Sequence, residues 1–471
     1  MTVSQILALM PVIVLSLTAV LLMLQASVKR DSLLAWLITC AGLLAAMWGV
    51  GFAKSYTQQV TPLIVVDDWG LFFSLLILIC AAVTLILSKR ELGGGRAEEY
   101  YLLLVLAVLG AVVLVQSSHM ASLLLGMELM GVALYAMVAF PRRGFLSLEA
   151  AIKYLVMSGC ASAMLLFGFA LLYAATGDLS YIGFGEKISL ATEQNLVLVY
   201  AGSALVLSGL GFKLSVVPFH MWTPDVYEGA PTPVTGFLAT VSKGAVFVAF
   251  TRVFVDANLV NHISLMTSLS VVAIASMLIG NLLALRQSNI KRLLSYSSIA
   301  HFGYLLIVLV ASSLIGDFSY QAINFYLVAY ILTTLAAFTV VENVVGAGES
   351  GFDISAFGGL FWRRPIQAVT FTVALLSLAG IPLTAGFIGK FYVITAGVQA
   401  SLWGLVMALV VGSAIAIYYY LRVIFVMSKV PEGESRVVSF SGHDALALVL
   451  VTLILFLGSW PQPFIKIIGG I

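Results

Sequence analysis

The chain has 471 residues, of which 61% are hydrophobic and only 9% are charged, and its formal net charge is +2. Water-soluble domains carry about a quarter charged residues, so a soluble fold of this length could not cover its surface with so few charges. The mean hydropathy of +1.10 leads to the same exclusion. The small net charge gives no indication of nucleic-acid binding. Lipid or other apolar helices must therefore surround most side chains.

Long apolar runs follow one another along the whole chain. A helix needs roughly 20 apolar residues to cross a bilayer, and about 14 runs of that kind can be read. They lie near residues 5–26, 33–54, 68–88, 99–116, 118–139, 148–174, 195–221, 231–254, 264–285, 291–313, 320–344, 366–398, 402–428 and 443–466. The gaps are too short to bury the core of a soluble domain. The predicted fold class is an all-α polytopic membrane protein.

Basic residues in the connections predict the orientation of the chain. Connections that follow odd-numbered runs hold most of them: Lys29, Arg30, Lys89, Arg90, Arg96, Arg142, Arg143, Arg286, Lys291, Arg292, Arg363, Arg364, Arg422, Lys429 and Arg436. Connections that follow even-numbered runs hold only Lys54, Lys187 and Arg252. Because basic loops stay on the cytoplasmic side, both termini are predicted to lie outside, on the periplasmic side in a bacterium.

Four lysines fall in apolar surroundings instead of connections: Lys153, Lys213, Lys243 and Lys390. A lysine at the centre of a membrane helix costs about 2.5–3.5 kcal/mol or more, and ionisable residues inside membranes are usually functional. We therefore interpret these lysines as proton carriers. The structural alternative is that each one only pairs with a carboxylate and orients helices.

Glu128, in LLLGMELMGVAL, is a carboxylate well inside an apolar run. An isolated glutamate in lipid would take up a proton, whereas beside a lysine both groups can stay ionised. We therefore predict that Glu128 pairs with Lys213 or Lys153. Glu149 and Lys153 are four residues apart and share a helical face, which predicts a second ion pair. A simple helix-end pair is an equally good interpretation of that second pair.

Proline and glycine interrupt two runs. The seventh reads GFKLSVVPFHMWTPDVYEGAPTPV and the twelfth reads LAGIPLTAGFIGKF. Proline removes a backbone donor and clashes with the preceding turn, and opened backbone at membrane depth survives only where it lines protein or water. Each break lies within about two turns of Lys213 or Lys390, and transporters place ion sites at such breaks. Helices seven and twelve are therefore predicted to be discontinuous.

The two breaks are five runs apart, which predicts two five-helix repeats. An odd number of crossings would invert the second repeat relative to the first. The predicted organisation is three N-terminal helices in residues 1–98, the first repeat in 99–254, the second, inverted repeat in 264–428, and a last helix in 443–471.

Histidines can carry protons because they titrate near neutral pH. His220 lies inside the first break, where we favour a role in the pathway. His301, in LLSYSSIAHFGYLL, has hydroxyl neighbours, and a relay and a hydrogen-bonded packing role are nearly equal interpretations. Asp225 and Glu228, also in the first break, are interpreted as structural loop residues, with guarding of a water entry as the alternative.

Neither a metal site nor a nucleotide site is predicted, and no residue is assigned a catalytic redox role. The three cysteines stand alone, without the spacing of iron–sulfur or zinc ligands. No GxGxxG or GxxxxGK[ST] motif follows a strand pattern. Gly93, Gly94 and Gly95 lie beside basic residues, which is typical of a solvated loop.

These segments resemble the antiporter-like membrane subunits of bacterial proton-pumping NADH:quinone oxidoreductase, respiratory complex I. The likeness spans nearly the whole chain and is carried by GMELMG, LEAAIKYLV, GFKLSVVPFHMWTPDVYEGAPTPVTGFLATVSKGA, NIKRLLSYSSIAHFGYLL and LSLAGIPLTAGFIGKFYV. The resemblance implies fourteen helices, inverted five-helix repeats and discontinuous helices seven and twelve. A lysine in helix twelve fits subunits N or L rather than M, and a chain ending soon after its last run fits N.

The resemblance also implies a role for the matching residues. These are Glu128, Lys153, Lys213, His220, Lys243 and Lys390. In the family, the helix-five glutamate pairs with the helix-seven lysine, the helix-eight lysine is central, and the helix-twelve residue belongs to the outward half-channel. Proton translocation would be driven by quinone reduction in partner subunits, which would hold the NADH, FMN, iron–sulfur and quinone sites.

The expected partners are other hydrophobic subunits of the complex and the lipid of a bacterial plasma membrane. A subunit of a multi-subunit cation/proton antiporter is the related alternative, because it shares the motifs of helices seven and eight. A stand-alone transporter of a solute or sodium is a different class, and midplane lysines disfavour it because they repel cations. A passive membrane spacer is a third class, for which lysine substitutions would leave pumping intact.

Overall fold

The structure is a computed structural model. It describes residues 2–92, 97–140, 145–188, 193–345, 351–430 and 442–470, and four of these by backbone alone: Arg90, Glu91, Glu193 and Gln194. Several sequence predictions lie outside the described residues: the loop at Gly93–Gly95 and the basic residues Arg96, Arg142, Arg143 and Arg436.

Long helices make up most of the described chain. They are α1 (Met10–Val28), α2 (Ser32–Ala53), α3 (Asp68–Glu91), α4 (Ala97–Val115), α5 (Met120–Ala139), α6 (Phe145–Thr176), α7 (Glu193–Leu214), α8 (Thr232–Asp256), α9 (Ile263–Leu285), α10 (Ile290–Ile315), α11 (Phe318–Val345), α12a (Pro365–Ala379), α12b (Ala385–Gln399), α13 (Trp403–Ser428) and α14 (Gly442–Ser459). Within the described residues, 13 helices are long and apolar enough to cross a membrane. With the divided α12 as a further crossing, the predicted polytopic helical fold is confirmed.

Short elements connect these helices. They are the helices Val3–Ala8, Tyr181–Ile188, Trp222–Gly229, Leu360–Arg363 and Gln462–Ile468, and the 3₁₀ turns Lys54–Tyr56, Leu259–Asn261 and Ile354–Phe357. An antiparallel hairpin of β1 (Gln58–Thr61) and β2 (Ile64–Val66) joins α2 to α3. The sequence analysis did not predict this hairpin, although its β-branched residues flank a proline as strands around a turn often do.

Two predicted boundaries were wrong. The seventh run was predicted to reach residue 221, but α7 ends at Leu214, because Ser215 adopts a φ of 62° that an α-helix cannot continue through. The last run was predicted to reach residue 466, but α14 ends at Ser459 and Pro461 precedes a separate short helix. Proline disfavours a helical conformation in the residue before it, which accounts for this interruption.

The chain divides into two compact units. The first comprises Met1–Leu214 and Gly229–Asn261, and the second comprises Ser215–Glu228 and His262–Ile471. The predicted first repeat, 99–254, therefore falls in the first unit except for the segment after α7, and the predicted second repeat falls in the second unit. The inverted relation of the repeats stays a prediction.

Each unit contains a close helix pair built on glycine. In the first unit, an ideal Cβ on Gly110 of α4 would lie 2.5 Å from the backbone nitrogen of Met130 on α5. In the second unit, an ideal Cβ on Gly280 of α9 would lie 3.0 Å from the backbone nitrogen of Ala300 on α10. Small residues let membrane helices approach this closely. The first two helices of each predicted repeat thus pack in a similar way.

Candidate proton-carrying sites

An ion pair joins α7 to α5 in the first unit. Lys213, in the last turn of α7, is only 3% exposed. Its Nζ lies 3.9 Å from Oε1 of Glu128, whose side chain is about one-third exposed in the isolated chain (34%). At this separation two unit charges attract by about 4 kcal/mol for an effective dielectric constant of about 20. The structure thus brings Glu128 to Lys213 rather than to Lys153.

Hydroxyl groups of α6 and α5 hold both members of this pair. Lys213 Nζ donates to Ser158 Oγ at 2.7 Å, and Ser162 Oγ donates to Glu128 Oε1 at 2.5 Å. Tyr135 OH also donates to Ser158 Oγ, at 2.5 Å. The two serines are four residues apart, so one face of α6 carries a hydroxyl for each charge. The sequence analysis missed these three hydroxyls, although serine at this spacing in an apolar run was a usable signal.

Lys243 lies within α8, where it is fully buried at 1% exposure. It follows a π-helical turn, Leu238–Ser242, and begins the α-helical part that continues to Asp256. Such π turns inside α-helices occur frequently at functional sites.

Two tyrosines lie between the surroundings of Lys213 and the residue before Lys243. The ring of Tyr135 lies 4.8 Å from the ring of Tyr154 on α6, and the Tyr154 hydroxyl is hydrogen-bonded to Ser242. Polar groups inside apolar surroundings are expensive to bury, so their grouping between the two lysines marks a candidate route for protons or water.

Lys153 differs from the other three lysines. Its Nζ lies 2.8 Å from Oε1 of Glu149 on the same helix, and the two side chains are 42% and 40% exposed. Lys153 was expected to be a buried lysine, and this expectation was wrong. It lies on the surface of the chain, because the beginning of α6 presents it away from the neighbouring helices. The role of Lys153 as a proton carrier stays a prediction.

In the second unit, the break in α12 supplies a partner for Lys390. Lys390, on α12b, is buried, and its Nζ donates to the carbonyl of Ala379 at 2.9 Å and to Ser413 Oγ at 3.1 Å. Ala379 is the last residue of α12a. Carbonyls at a helix end have no partner within the helix and carry partial negative charge. The discontinuity therefore creates an acceptor for the ammonium at membrane depth.

His301 on α10 lies among aromatic side chains near Lys390. Its Nδ1 is hydrogen-bonded to the hydroxyl of Tyr326 on α11 at 2.7 Å. Its ring lies 5.4 Å from the ring of Tyr304, and the Nζ of Lys390 lies 5.2 Å from the centre of that Tyr304 ring. His301 is thus hydrogen-bonded in the core and also lies near Lys390, and its role as a proton relay stays a prediction.

His220 is buried in the turns that follow α7, before the short helix Trp222–Gly229. In the same segment, Asp225 Oδ1 and Glu228 Oε2 each lie 2.8 Å from Nη1 of Arg292 on α10. Two carboxylates bound to one guanidinium support the structural interpretation of Asp225 and Glu228.

Two basic residues that were assigned to connections are buried in helices. Arg252 lies inside α8, where its Nη1 and Nη2 bind the two carboxylate oxygens of Asp67 at 2.8 Å and 2.5 Å. Lys291 lies in the first turn of α10, with its Nζ 3.8 Å from the ring centre of Phe352. These assignments were wrong because both residues lie inside the predicted runs, 231–254 and 291–313, close to a run end, and were counted with the neighbouring connection.

Comparison with known proteins agrees with this geometry. Residues 117–416 match the sequence profile of the family described as NADH:quinone oxidoreductase/Mrp antiporter, TM. The chain belongs to this family. The family resemblance expected from the sequence is therefore confirmed.

Solved structures of the same fold come from three kinds of complex. A chain in respiratory complex I from Thermus thermophilus with bound aureothin is 34% identical, with a TM-score of 0.84, and the match covers 97% of this chain and 99% of that one. A chain in the membrane-bound sulfane sulfur reductase, an archaeal respiratory membrane complex, is 24% identical, with a TM-score of 0.86 and coverage of 99% and 97%. A chain in the Mrp complex from Dietzia sp. DQ12-45-1b is 23% identical, with a TM-score of 0.81 and coverage of 100% and 97%. The last two likenesses extend to the fold alone.

Proposed function

We propose that this chain is a proton-translocating membrane subunit, of the N type, of a bacterial NADH:quinone oxidoreductase. The observation that carries the proposal is a buried ammonium, that of Lys213, held 3.9 Å from Glu128 by hydroxyl groups of α6. The 34% identity to a chain of a respiratory complex I supports the choice of complex. The proposed carriers are Glu128, Lys153, Lys213, His220, Lys243, His301 and Lys390.

The Glu128–Lys213 separation provides a way to load and release a proton. Doubling that separation would halve an attraction of about 4 kcal/mol, so the ion pair would lose about 2 kcal/mol of stabilisation. Moving one charge against 100 mV costs about 2.3 kcal/mol, a similar amount. A displacement of a few ångströms between α5 and α7 would therefore suffice to control whether Lys213 holds its proton. In this proposal the proton then passes to Lys243 and leaves by way of Lys390.

The energy for transport would come from partner subunits. In this proposal the chain belongs to the translocase class and has no redox centre of its own, while NADH, FMN, iron–sulfur clusters and quinone bind elsewhere in the complex. Among the described residues, no group of three or more His, Cys, Asp or Glu side chains is placed to hold a metal ion. Neighbouring antiporter-like and small membrane subunits would transmit the energy by conformational or electrostatic coupling.

We also propose a bacterial plasma membrane location with both termini periplasmic, and an inverted relation between the repeats at 99–254 and 264–428. Contacts within the second unit support the orientation. Arg422, near the end of α13, donates to the carbonyls of Leu285, at 3.1 Å, and Gln287, which follow the end of α9. Arg422 of α13 thus lies at the same membrane face as the basic connection that follows α9. The predicted alternation of charged connections requires this, because both helices are odd-numbered.

Purification of the tagged chain from its host membrane tests the choice of complex. We expect other hydrophobic subunits to co-purify, and the assembly to reduce quinone with NADH and to take up protons when it is sealed in vesicles. Cation/proton exchange by the assembly without NADH, together with no quinone reduction, would contradict the proposal and support the antiporter alternative.

A further inference from the structure

One face of α12a carries buried polar side chains, none of which was predicted from the sequence to have a role. They are Gln367, Thr370 and Ser377, at 1%, 0% and 1% exposure, with the small Ala374 between the last two. Steps of three and four residues place all four on one side of the helix. Because Gln367 and Ser377 are ten residues apart, this polar face of α12a extends over about 15 Å.

The polar face of α12a begins at a membrane face. Gln367 Nε2 donates to Oδ1 of Asp444, near the beginning of α14, at 2.5 Å. Asp444 is only half-buried, so water reaches this end of the polar face. Helices α11 and α13 end at this membrane face, and α12a and α14 begin there. In the proposed orientation of the chain it is the cytoplasmic face.

The other end of the polar face lies at the break in α12. Ser377 Oγ accepts from the backbone N–H of Gly386 in α12b at 3.0 Å and lies 2.9 Å from Oγ1 of Thr333 on α11. Ser377 stands two residues before Ala379, whose carbonyl accepts from Lys390. The polar face therefore ends at the turn of backbone that holds the buried ammonium.

Thr333 belongs to a second row of hydroxyl groups, on α11. Tyr326, Tyr330 and Thr333 recur at steps of four and three residues and share one face of that helix. The hydroxyl of Tyr330 donates to Ser298 Oγ at 2.8 Å, and that of Tyr326 is hydrogen-bonded to Nδ1 of His301 at 2.7 Å. Hydroxyl groups thus extend along α11 from the partner of Ser377 to the partner of His301.

Two side-chain atoms on the polar face of α12a lack a protein partner. Gln367 Oε1 and Thr370 Oγ1 are buried and form no hydrogen bond with any residue in the described part of the chain. Unpaired buried polar atoms are costly, so nearly all of them in folded proteins bind protein groups or ordered water. Water fits here, because it can donate to the amide oxygen and either donate to or accept from the hydroxyl.

We propose that the polar face of α12a lines a water-filled inlet that leads from the cytoplasmic membrane face to the break in α12. Water enters beside Asp444, binds Gln367 and Thr370, and ends at Ser377. Opened backbone at membrane depth is found where it lines water or protein, which agrees with an inlet that ends at this break. The inlet gives the second unit its own source of protons. The inference rests on the proposed function, in which Lys390 carries protons.

Cysteine labelling tests for water in the inlet. Methanethiosulfonates react with the thiolate, which does not form in dry, apolar surroundings. In inverted membrane vesicles of the host, whose cytoplasmic face is outermost, we expect 2-aminoethyl methanethiosulfonate to modify Thr370→Cys at least about ten times faster than Leu375→Cys. Leu375 is the matched control, because it is equally buried on another face of α12a. Free cysteine inside the vesicles destroys reagent that crosses the membrane.

Peptide mass spectrometry measures the modification at each position separately. Equal rates at the two positions would overturn the proposal. Faster modification of Thr370→Cys in vesicles of the opposite orientation would also overturn it, because water would then enter from the periplasmic side.

Thr370→Val tests whether protons use the inlet. The substitution replaces the hydroxyl by a methyl group of similar size, and an apolar constriction in a narrow water path impedes conduction by dewetting. We expect a loss of proton uptake per quinone reduced at least half as large as the loss caused by Lys390→Ala, and recovery in Thr370→Ser. Thr372→Val, on the opposite and otherwise apolar face of α12a, is the matched control. Equal uptake by the two valine variants would overturn the role of the inlet.

These measurements separate failure of the inference from failure of the proposed function. If Lys390→Ala leaves uptake intact, the proposed function fails at this residue, while the labelling still detects or excludes the inlet. If Lys390→Ala lowers uptake but Thr370→Cys is as inert as Leu375→Cys, only the inference fails. Should Thr370→Cys prevent assembly, Gln367→Cys replaces it, one turn nearer the cytoplasmic face, with the same expected and contradicting rates.

Discussion

Gly380 lies so close to Lys390 that an ideal Cβ on the glycine would be only 2.7 Å from Cδ of the lysine. Gly380 also has a φ of 83°, in the left-handed region that favours glycine. Its neighbour Ala379 supplies the carbonyl that accepts from the lysine. The discontinuity of α12 and the buried position of Lys390 are therefore two aspects of one local structure.

Gly380→Ala tests this relationship. The added methyl group would strain the backbone by about 1–2 kcal/mol and push Lys390 away from the carbonyl of Ala379. We expect the complex to assemble but to take up fewer protons per quinone reduced. Gly404→Ala in α13, where no atom lies within 4 Å of an ideal Cβ, is the matched control. Equal pumping by both variants would contradict this account of the break.

Asp67→Asn tests the ion pair with Arg252, in which the guanidinium is buried and the carboxylate is 39% exposed. The guanidinium also donates from Nε to the carbonyl of Val115 at 2.8 Å, so it cannot leave when its carboxylate is removed. Removing the carboxylate from this partly buried pair should destabilise the first unit by about 2 kcal/mol, less than for a fully buried pair because water reaches Asp67. Lys187→Ala, which breaks an exposed pair with Asp178, should cost less than about 1 kcal/mol. The midpoint of thermal denaturation of the purified complex measures both, and equal midpoints would contradict the prediction.

His119 caps α5 only while its ring is neutral. Its Nδ1 accepts from the backbone N–H of Ala121 at 3.0 Å. Burial lowers the pKa of His119 below its ordinary value of 6.5, and the nearby Asp178 partly opposes this. The cap is therefore complete above pH 6.5 and is lost as the pH falls through the lowered value.

Hydrogen exchange at the beginning of α5 measures this cap. After correction for intrinsic rates, exchange should be faster at mildly acidic pH than at neutral pH. His119→Asn should keep the cap, because asparagine is a favourable capping residue, and should remove the pH dependence. The same pH dependence in that variant would assign the effect to another group.

Much of this molecule could be predicted from local sequence. The length of each apolar run predicts a membrane crossing. A lysine within a run, such as Lys213 or Lys390, is costly to bury and therefore indicates a functional residue. Proline and glycine at the two interruptions predicted discontinuous helices, because proline removes a backbone donor and clashes with the preceding turn. Each of these signals is contained within one helix and needs no knowledge of its neighbours.

The remaining features depend on which helix faces meet. Ser158 and Gln367 are ordinary polar residues in apolar runs until α6 faces α7 and α12a faces α14, and sequence gives no register for such contacts. Arg252 was counted with a connection because it lies near the end of its run, and sequence does not show that Asp67 binds it inside the fold. Lys153 was placed among the buried lysines because an apolar run does not tell which of its faces is covered.

The most direct measurement is proton uptake per quinone reduced by complexes carrying Lys213→Ala, reconstituted in sealed vesicles, with Lys187→Ala as the control. We predict that the Lys213 variant assembles and reduces quinone but loses much of its proton uptake, while the control matches the unaltered complex. Undiminished uptake by a fully assembled Lys213→Ala complex would contradict the central claim.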